Sequence, residues 1–273
     1  MNVKSIIFKV VIMLFCTHCM AQEITNNETA EEKKARQDRI IQEHVYDCAD
    51  KINYNFWMKQ YQDCLDAGLK KDSTIAYLWQ QKAMPYYKIR KYSVGKEYLD
   101  KAVFYNEKRW LSYRGFMKCI FAKDYKGAIE DMELYIKKYG NHYEMDHTCA
   151  FYIGLSYLQL NEFSKAEKTF ENDIKDQVKQ KKEAHFLDWF YHGISLLEQQ
   201  KFERAIASFD EALTVYPNFS EAQYYKSIAK AALGHSEDEI QFLYSEAIEN
   251  RKKGYTITED NAVYEIYPYQ LRK

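Results

Sequence analysis

Four side chains that can bind a metal ion lie close together in the segment NHYEMDHT. His142 and His147 offer imidazole nitrogens, which zinc accepts in proteins. Glu144 and Asp146 offer carboxylate oxygens between them. The segment precedes a predicted helix, however, and an aspartate in that position commonly caps the first turn. We therefore expect Asp146 to be a helix cap and the protein to hold no metal and no cofactor.

The cysteines are the second group of reactive side chains. In the helical-repeat pattern that the chain resembles, described below, Cys48 and Cys64 fall in two slots that touch across a helix pair, so that resemblance makes a disulfide between them geometrically sensible. The alternative is that both are small buried residues, as free cysteine often is. Cys119 and Cys149 lie at different heights on separate helices, and we expect both to be unpaired.

Other chemical signatures are missing from the sequence. It contains no glycine-rich phosphate loop, no nucleophile elbow and no CxxC motif. The net charge is −1 and no strongly basic block stands out, which argues against binding to nucleic acid. We expect a protein that is not an enzyme and has no small-molecule substrate. The competing hypothesis, from a different functional class, is an enzyme with a metal site at His142 and His147.

The stretch from Leu187 to Phe219 has the spacing of two antiparallel helices. A glycine inside a helix lowers the stability of the helix by about 0.8–1.0 kcal/mol relative to alanine, so Gly193 is expected to have a structural role. The predicted reason is close approach of the second helix, with Phe209 covering the notch. Gln199 to Lys201 form the turn, and Pro217 ends the second helix.

This pattern resembles the tetratricopeptide repeat, in which tryptophan, glycine, alanine, phenylalanine and proline recur at fixed spacing. His192 stands where leucine is usual and Leu196 where tyrosine is usual, and we expect His192 to be a hydrogen-bonded packing residue. The repeat slots of the stretch are filled by Trp189, Gly193, Ala205, Phe209, Ala212 and Pro217.

Related copies precede and follow this stretch, including Gly154, Ala166 and Phe170 at the same internal spacing. The resemblance therefore implies an all-α fold, a right-handed superhelical solenoid of about six helix pairs over residues 31–253. Pro85 falls inside one predicted helix and should kink or end it. We predict helices over Glu31–Lys51, Trp110–Phe121 and His147–Leu160, among others.

In such a solenoid the first helices of successive pairs line the concave side, which is the usual place for a protein or peptide partner. Tyr113, Tyr152 and Tyr191 recur at equivalent places there. The alternative is that these aromatic residues are packing between repeats. The predicted groove residues are Tyr77, Met84, Tyr87, Arg109, Tyr113, Phe116, Phe151, Tyr152, Phe190, Tyr191 and Tyr225.

The two ends of the chain break the repeat pattern. Residues 1–21 read as a secretory signal peptide cleaved near Ala21, followed by a flexible segment 22–30. The alternative is a lipoprotein anchored through Cys19 or Cys16, and we expect membrane contact only in that case. Residues 254–273 should form an extended tail that caps the last helices; the other possibilities are docking on a partner or in the protein's own groove.

These features predict a non-catalytic scaffold in the periplasm or outside the cell, binding a protein or peptide segment in an aromatic groove. The tyrosine-rich repeats and the alanine–glutamine junction resemble exported proteins of Bacteroidetes-type bacteria. The alternative function is a chaperone-like or structural component of an envelope or secretion assembly.

Overall fold

The structure is a computed structural model that describes residues 28–180 and 182–271. The predicted signal peptide 1–21, its cleavage point at Ala21 and the two candidate lipidation cysteines lie outside these residues. Within the described ranges, none of the helices is both long and apolar enough to cross a membrane.

The described residues form twelve α-helices that pack as six successive pairs. This arrangement confirms the predicted all-α solenoid. The helices are α1 Ala30–Ile41, α2 Tyr54–Lys71, α3 Ala76–Lys88, α4 Tyr92–Tyr105, α5 Glu107–Phe116, α6 Tyr125–Tyr139, α7 Cys149–Gln159, α8 Phe163–Lys179, α9 Phe186–Leu197, α10 Phe202–Val215, α11 Ser220–Ala232 and α12 Glu237–Lys252.

The pair α9–α10 packs as its sequence predicts. A Cβ atom at Gly193 would lie only 2.6 Å from Cε1 of Phe209, so only glycine lets the two helices approach this closely. Phe170 fills the same notch at Gly154, where its Cζ atom would lie 2.8 Å from a Cβ. His192 is buried with Nδ1 3.0 Å from Oγ of Ser208, which confirms its role as a hydrogen-bonded packing residue.

The helix that contains Pro85 does not end there. Helix α3 continues to Lys88, although proline cannot donate the hydrogen bond that its position in the helix calls for. The carbonyl of Gln81, one turn earlier, lies 3.5 Å from the hydroxyl of Tyr61 on α2, which donates to it. The same hydroxyl lies 3.3 Å from the side-chain oxygen of Gln81, so the neighbouring helix supplies one donor near the acceptor that proline leaves free.

Three predicted helix boundaries are wrong because irregular turns replace regular helix. Helix α1 ends at Ile41 and continues as a wider π-helical turn to Tyr46, and α5 passes into a similar turn over Met117–Ala122. Helix α7 begins only at Cys149. Before it, strands β1 (Tyr143–Glu144) and β2 (His147–Thr148) form a short antiparallel hairpin.

The helix cap predicted at Asp146 is also wrong. The hydroxyl of Thr148 accepts the backbone N–H of Phe151 at 3.0 Å and caps α7 instead. Because Asp146 lies in the turn of the β1–β2 hairpin, it is two residues too early to reach the first turn of the helix.

The apolar interior has two parts. A large cluster runs through the middle and C-terminal pairs, from Ala76 on α3 to Ala222 on α11, and includes Ile257 and Tyr267 of the tail. A smaller cluster joins α1, α2 and the start of α3 around Val45 and Leu65. Beside it Cys48 and Cys64 form a disulfide with Cα atoms 5.9 Å apart, while Cys119 and Cys149 are free and buried, as expected.

Candidate functional site

The first helices of adjacent pairs, α5, α7, α9 and α11, contact one another in sequence. This places them on the inner side of the curve that the stacked pairs make. We call the surface formed by α3 and these four helices the inner face.

Most of the predicted groove residues are less accessible than the sequence led us to expect. Tyr77, Met84 and Tyr225 are half-buried, and Arg109 is exposed. Aromatic contacts between neighbouring pairs account for much of the burial: Phe116 packs on Tyr152 with ring centroids 5.4 Å apart. The buried members are Tyr87, Tyr113, Phe116, Phe151, Tyr152, Phe190 and Tyr191.

The three equivalent tyrosines use their hydroxyl groups differently. Tyr113 Oη accepts a hydrogen bond from Nε2 of Gln80 at 3.3 Å, and Tyr152 donates to the carbonyl of Glu144 at 3.0 Å. Tyr191 instead contacts the tail, since its hydroxyl donates to the carbonyl of Pro268 at 3.1 Å. The hydrogen-bond partner of Tyr191 is therefore the C-terminal tail of the same chain.

The tail, residues 254–271, crosses the inner face and returns. It leaves α12 at Gly254, whose φ of 90° suits glycine. The carbonyl of Tyr255 then accepts the N–H of Ser220 at 3.0 Å, and Ile257 enters the large apolar cluster. Phe242 and Tyr244 on α12 stay exposed, so this side of the last helix is not covered.

An acidic side chain holds the far end of the tail beside the turns of the second and third pairs. Glu265 receives a hydrogen bond from the hydroxyl of Tyr92. Its carboxylate lies 3.5 Å from Nε of Arg90 and 3.9 Å from Nζ of Lys123. Glu265 is only 8% exposed, so these cations face a largely desolvated anion.

The tail then turns back across the inner face through an aromatic segment. Tyr267 is 2% exposed and belongs to the large apolar cluster. Tyr269 packs edge-on against Tyr225 with ring centroids 5.7 Å apart, and its hydroxyl donates to Glu198 at 2.7 Å. A cleft of about 500 Å³ remains open between this segment and the turns at Arg90 and Lys123.

A buried carboxylate contacts the tail near both of its ends. Glu221, at the start of α11, accepts hydrogen bonds from the hydroxyl of Thr256 and from the N–H of Leu271, the latter at 3.2 Å. Burial raises the pKa of Glu221, and these hydrogen bonds oppose the rise. Glu221 therefore holds both the beginning of the docked tail, at Thr256, and its end, at Leu271.

The four residues of the predicted metal cluster do not come together. Glu144 points to α5, where it accepts from Ser112 at 2.7 Å and lies 3.3 Å from Arg109. His147 is buried instead beside His185 and Glu259, two residues that sequence reasoning missed. No signal in the sequence connects these three, because they come from the hairpin, the start of α9 and the tail.

A sequence profile described as tetratricopeptide repeat matches residues 192–254. The profile begins inside the best predicted pair and ends with α12. The fold is that of a tetratricopeptide repeat solenoid. A search of curated proteins found no significant match.

Several solved structures share this solenoid. The C-terminal part of a TPR repeat-containing protein from Cytophaga hutchinsonii is 17% identical, with a TM-score of 0.59 over 78% of this chain and 80% of that one. MamA from Desulfovibrio magneticus is 13% identical, with a TM-score of 0.55 over 65% and 96%. YrrB, described as a TPR protein with an unusual peptide-binding site, is 14% identical, with a TM-score of 0.51 over 69% and 92%. At these identities the likeness concerns the fold.

Proposed function

We propose that the protein is an exported, non-catalytic scaffold whose inner face binds an extended segment of another protein. One observation carries this proposal: the inner face already holds an extended peptide, the tail, and buries Ile257 and Tyr267 of it. The solenoid resembles that of YrrB, a TPR protein with a peptide-binding site. A partner would take the place that the tail occupies.

The contacts of the tail define what such a partner should look like. An acidic side chain would lie between Arg90 and Lys123, as Glu265 does. An aromatic side chain two residues later would be buried like Tyr267, and the next carbonyl would accept from Tyr191. The expected partner segment is therefore extended, acidic at one position and aromatic shortly after it.

Export to the periplasm or cell exterior is supported by residues 1–21 and by the Cys48–Cys64 disulfide, since disulfides persist in oxidising compartments. Cell fractionation with N-terminal sequencing checks this part. A mature chain that begins at Gln22 supports export, and a chain that keeps Met1 in the cytoplasm contradicts it. Acylation of the mature N-terminus would favour the lipoprotein alternative.

Peptide binding is tested with a fluorescent peptide that has the sequence of residues 260–271. The receptor is the protein with Glu265→Gln and Tyr267→Ala, which weakens its own tail while leaving the inner face intact. We expect this variant to bind the peptide in a one-to-one complex and to bind it less when Arg90→Gln is added. A peptide in which the tyrosine that corresponds to Tyr267 is alanine is the matched control.

Equal binding of the two peptides, or no effect of Arg90→Gln, would contradict the proposed groove. A photo-crosslinker at position 225 can then be used in cells to capture the natural partner, with position 242 on α12 as the control. Replacing Tyr113 or Tyr152 by alanine is a poor test, because both side chains are buried and the change would destabilise the fold.

A further inference from the structure

Three side chains of the kind that bind zinc meet where the tail passes the inner face. His147 comes from strand β2, His185 precedes α9, and Glu259 belongs to the tail. One ligand atom from each of them lies within 4.8 Å of the other two. They therefore link two successive helix pairs to the tail.

His147 is buried without the hydrogen bonds that a buried imidazole needs. It is 1% exposed, and neither Nδ1 nor Nε2 has a hydrogen-bond partner. Nε2 lies 3.3 Å from a carboxylate oxygen of Glu259, at ion-pair distance but without hydrogen-bond alignment. Buried polar atoms are seldom left unpaired, so this nitrogen calls for a partner that the protein chain does not supply.

The rings of both histidines are held in place by other contacts. The ring of His147 stacks on Phe151 with centroids 3.8 Å apart. Nδ1 of His185 accepts the N–H of Leu187 at 3.3 Å, so in the neutral ring the proton is on Nε2. Metal-binding histidines instead donate the N–H of the nitrogen that does not bind the metal, so zinc binding through Nε2 would require the other tautomer of His185 and loss of this long hydrogen bond.

We propose that His147, His185 and Glu259 bind a zinc ion that fastens the tail to the inner face. Two imidazoles and one carboxylate are a ligand set that zinc prefers, with water in the fourth position. Tetrahedral ligands about 2.1 Å from zinc lie about 3.4 Å apart. His147 and Glu259 already satisfy that spacing, and the ligand atom of His185 lies within 4.8 Å of both, so His185 would move inward to complete the site.

The site would make docking of the tail depend on zinc. Glu259 is the one ligand that the tail contributes, and it lies between Ile257 and the segment that reaches Arg90. Zinc would add a strong bond to this part of the tail, and its removal would leave only the weaker contacts described above.

The test uses the mature chain, purified without a histidine tag and stripped of metal with a chelator. Titration with Zn²⁺ should give one bound ion per chain. Glu259→Gln and His185→Gln should each lower the affinity by at least about tenfold, because loss of even an outer partner of a zinc ligand costs about 10–100-fold. X-ray absorption at the zinc edge should show two imidazole ligands.

His142→Gln is the matched control, since this histidine lies in the same loop but outside the cluster. It should leave the affinity unchanged, and circular dichroism should confirm that every variant keeps its helices. A second readout is proteolysis of the tail, which Zn²⁺ should slow in the unmodified chain and not in Glu259→Gln. The proposal is overturned if Zn²⁺ does not bind at micromolar concentration, or if both ligand variants bind it as well as the unmodified chain does.

Discussion

The two ends of this solenoid are closed in different ways. At the N-terminal end a small apolar cluster around Leu65 is tied by the Cys48–Cys64 disulfide, between residues 16 positions apart. At the C-terminal end the chain continues past α12 and lies along the inner face, while Phe242 on that helix stays exposed. A solenoid needs its end repeats protected from solvent. At the N-terminal end, residues close together in sequence provide this protection, whereas at the C-terminal end the chain runs back to distant repeats.

The difference matters because a covalent bond and a docked peptide have different consequences. The disulfide restricts the unfolded chain and leaves the surface of α1 and α2 as it is. The tail is held by reversible contacts, such as that of Tyr191 with Pro268, and it covers part of the inner face. If the inner face binds a partner as proposed, the C-terminal end combines stability with control of access to that face.

The largest effect is expected from Tyr267→Ala in the tail. This side chain is 2% exposed, and replacing a large buried aromatic residue by alanine costs about 3–5 kcal/mol. Urea denaturation should show a loss of about 3 kcal/mol. The control is Tyr264→Ala, at a tail position that is 36% exposed, which should change stability by less than about 1 kcal/mol. Similar effects of the two would mean that the tail does not pack as described.

Removing the disulfide should have a similar or slightly smaller effect, confined to the other end. A cross-link that closes a loop of about 15 residues stabilises a protein by about 3 kcal/mol in the chain-entropy view. Replacing Cys48 and Cys64 by alanine should lower stability by this amount. A reducing agent should destabilise the natural chain and leave the double variant unchanged. Full alkylation of Cys48 without prior reduction would show that the bond is absent.

Acid should weaken the interior pair α9–α10, which lies between the two ends. Burial, together with the nearby charge of Arg204, lowers the pKa of His192 to about 4 from 6.5. The folded state therefore disfavours the protonated ring, so stability is lost as the pH falls below 6.5 towards 4. Between pH 7 and pH 5 the loss should be about 2 kcal/mol.

The variant His192→Leu tests this assignment, because leucine is the usual residue at this place in the repeat. It should remove that part of the pH dependence while keeping the fold, since Oγ of Ser208 can still donate to the carbonyl of Arg204 at 3.1 Å. An unchanged pH profile of unfolding would assign the acid sensitivity to another group.

The smallest expected effect comes from glycine substitutions in two equivalent turns. Gln200 and Lys123 both have left-handed backbone angles, with φ of 59° and 56°, in the turn inside a helix pair. Glycine relieves about 1–2 kcal/mol of strain there and costs about 0.5–1 kcal/mol of chain entropy. Gln200→Gly should raise the free energy of unfolding by about 0.5 kcal/mol. Lys123→Gly should not, because it also removes the contacts with Glu265 and Ile266.

The sequence predicted the parts of the molecule that repeat. Gly193 and Phe209 could be paired because the same spacing occurs in several copies and requires a notch and a side chain to fill it. The burial of Tyr113 and Tyr152 was harder to predict, since helical spacing does not separate packing between repeats from an open groove.

The path of the tail could not be predicted, for a physical reason. Its partners, such as Arg90 for Glu265 and His147 for Glu259, lie far away in sequence and in different pairs. No period sets the register of an extended segment, and each contact depends on the curvature of the stacked helices. The aromatic run around Pro268 indicated a segment that would be buried, but not the surface on which it would lie.

Hydrogen exchange of the backbone amides in residues 264–271 reports directly whether the tail is docked on the inner face. These amides belong to a segment that lies on the inner face, anchored by Glu265, Tyr267 and Leu271. A docked tail should exchange slowly in the unmodified chain and fast in Tyr267→Ala, while α9 and α10 stay protected in both. Exchange of residues 264–271 at the rate of an unstructured peptide in the unmodified chain would contradict docking of the tail.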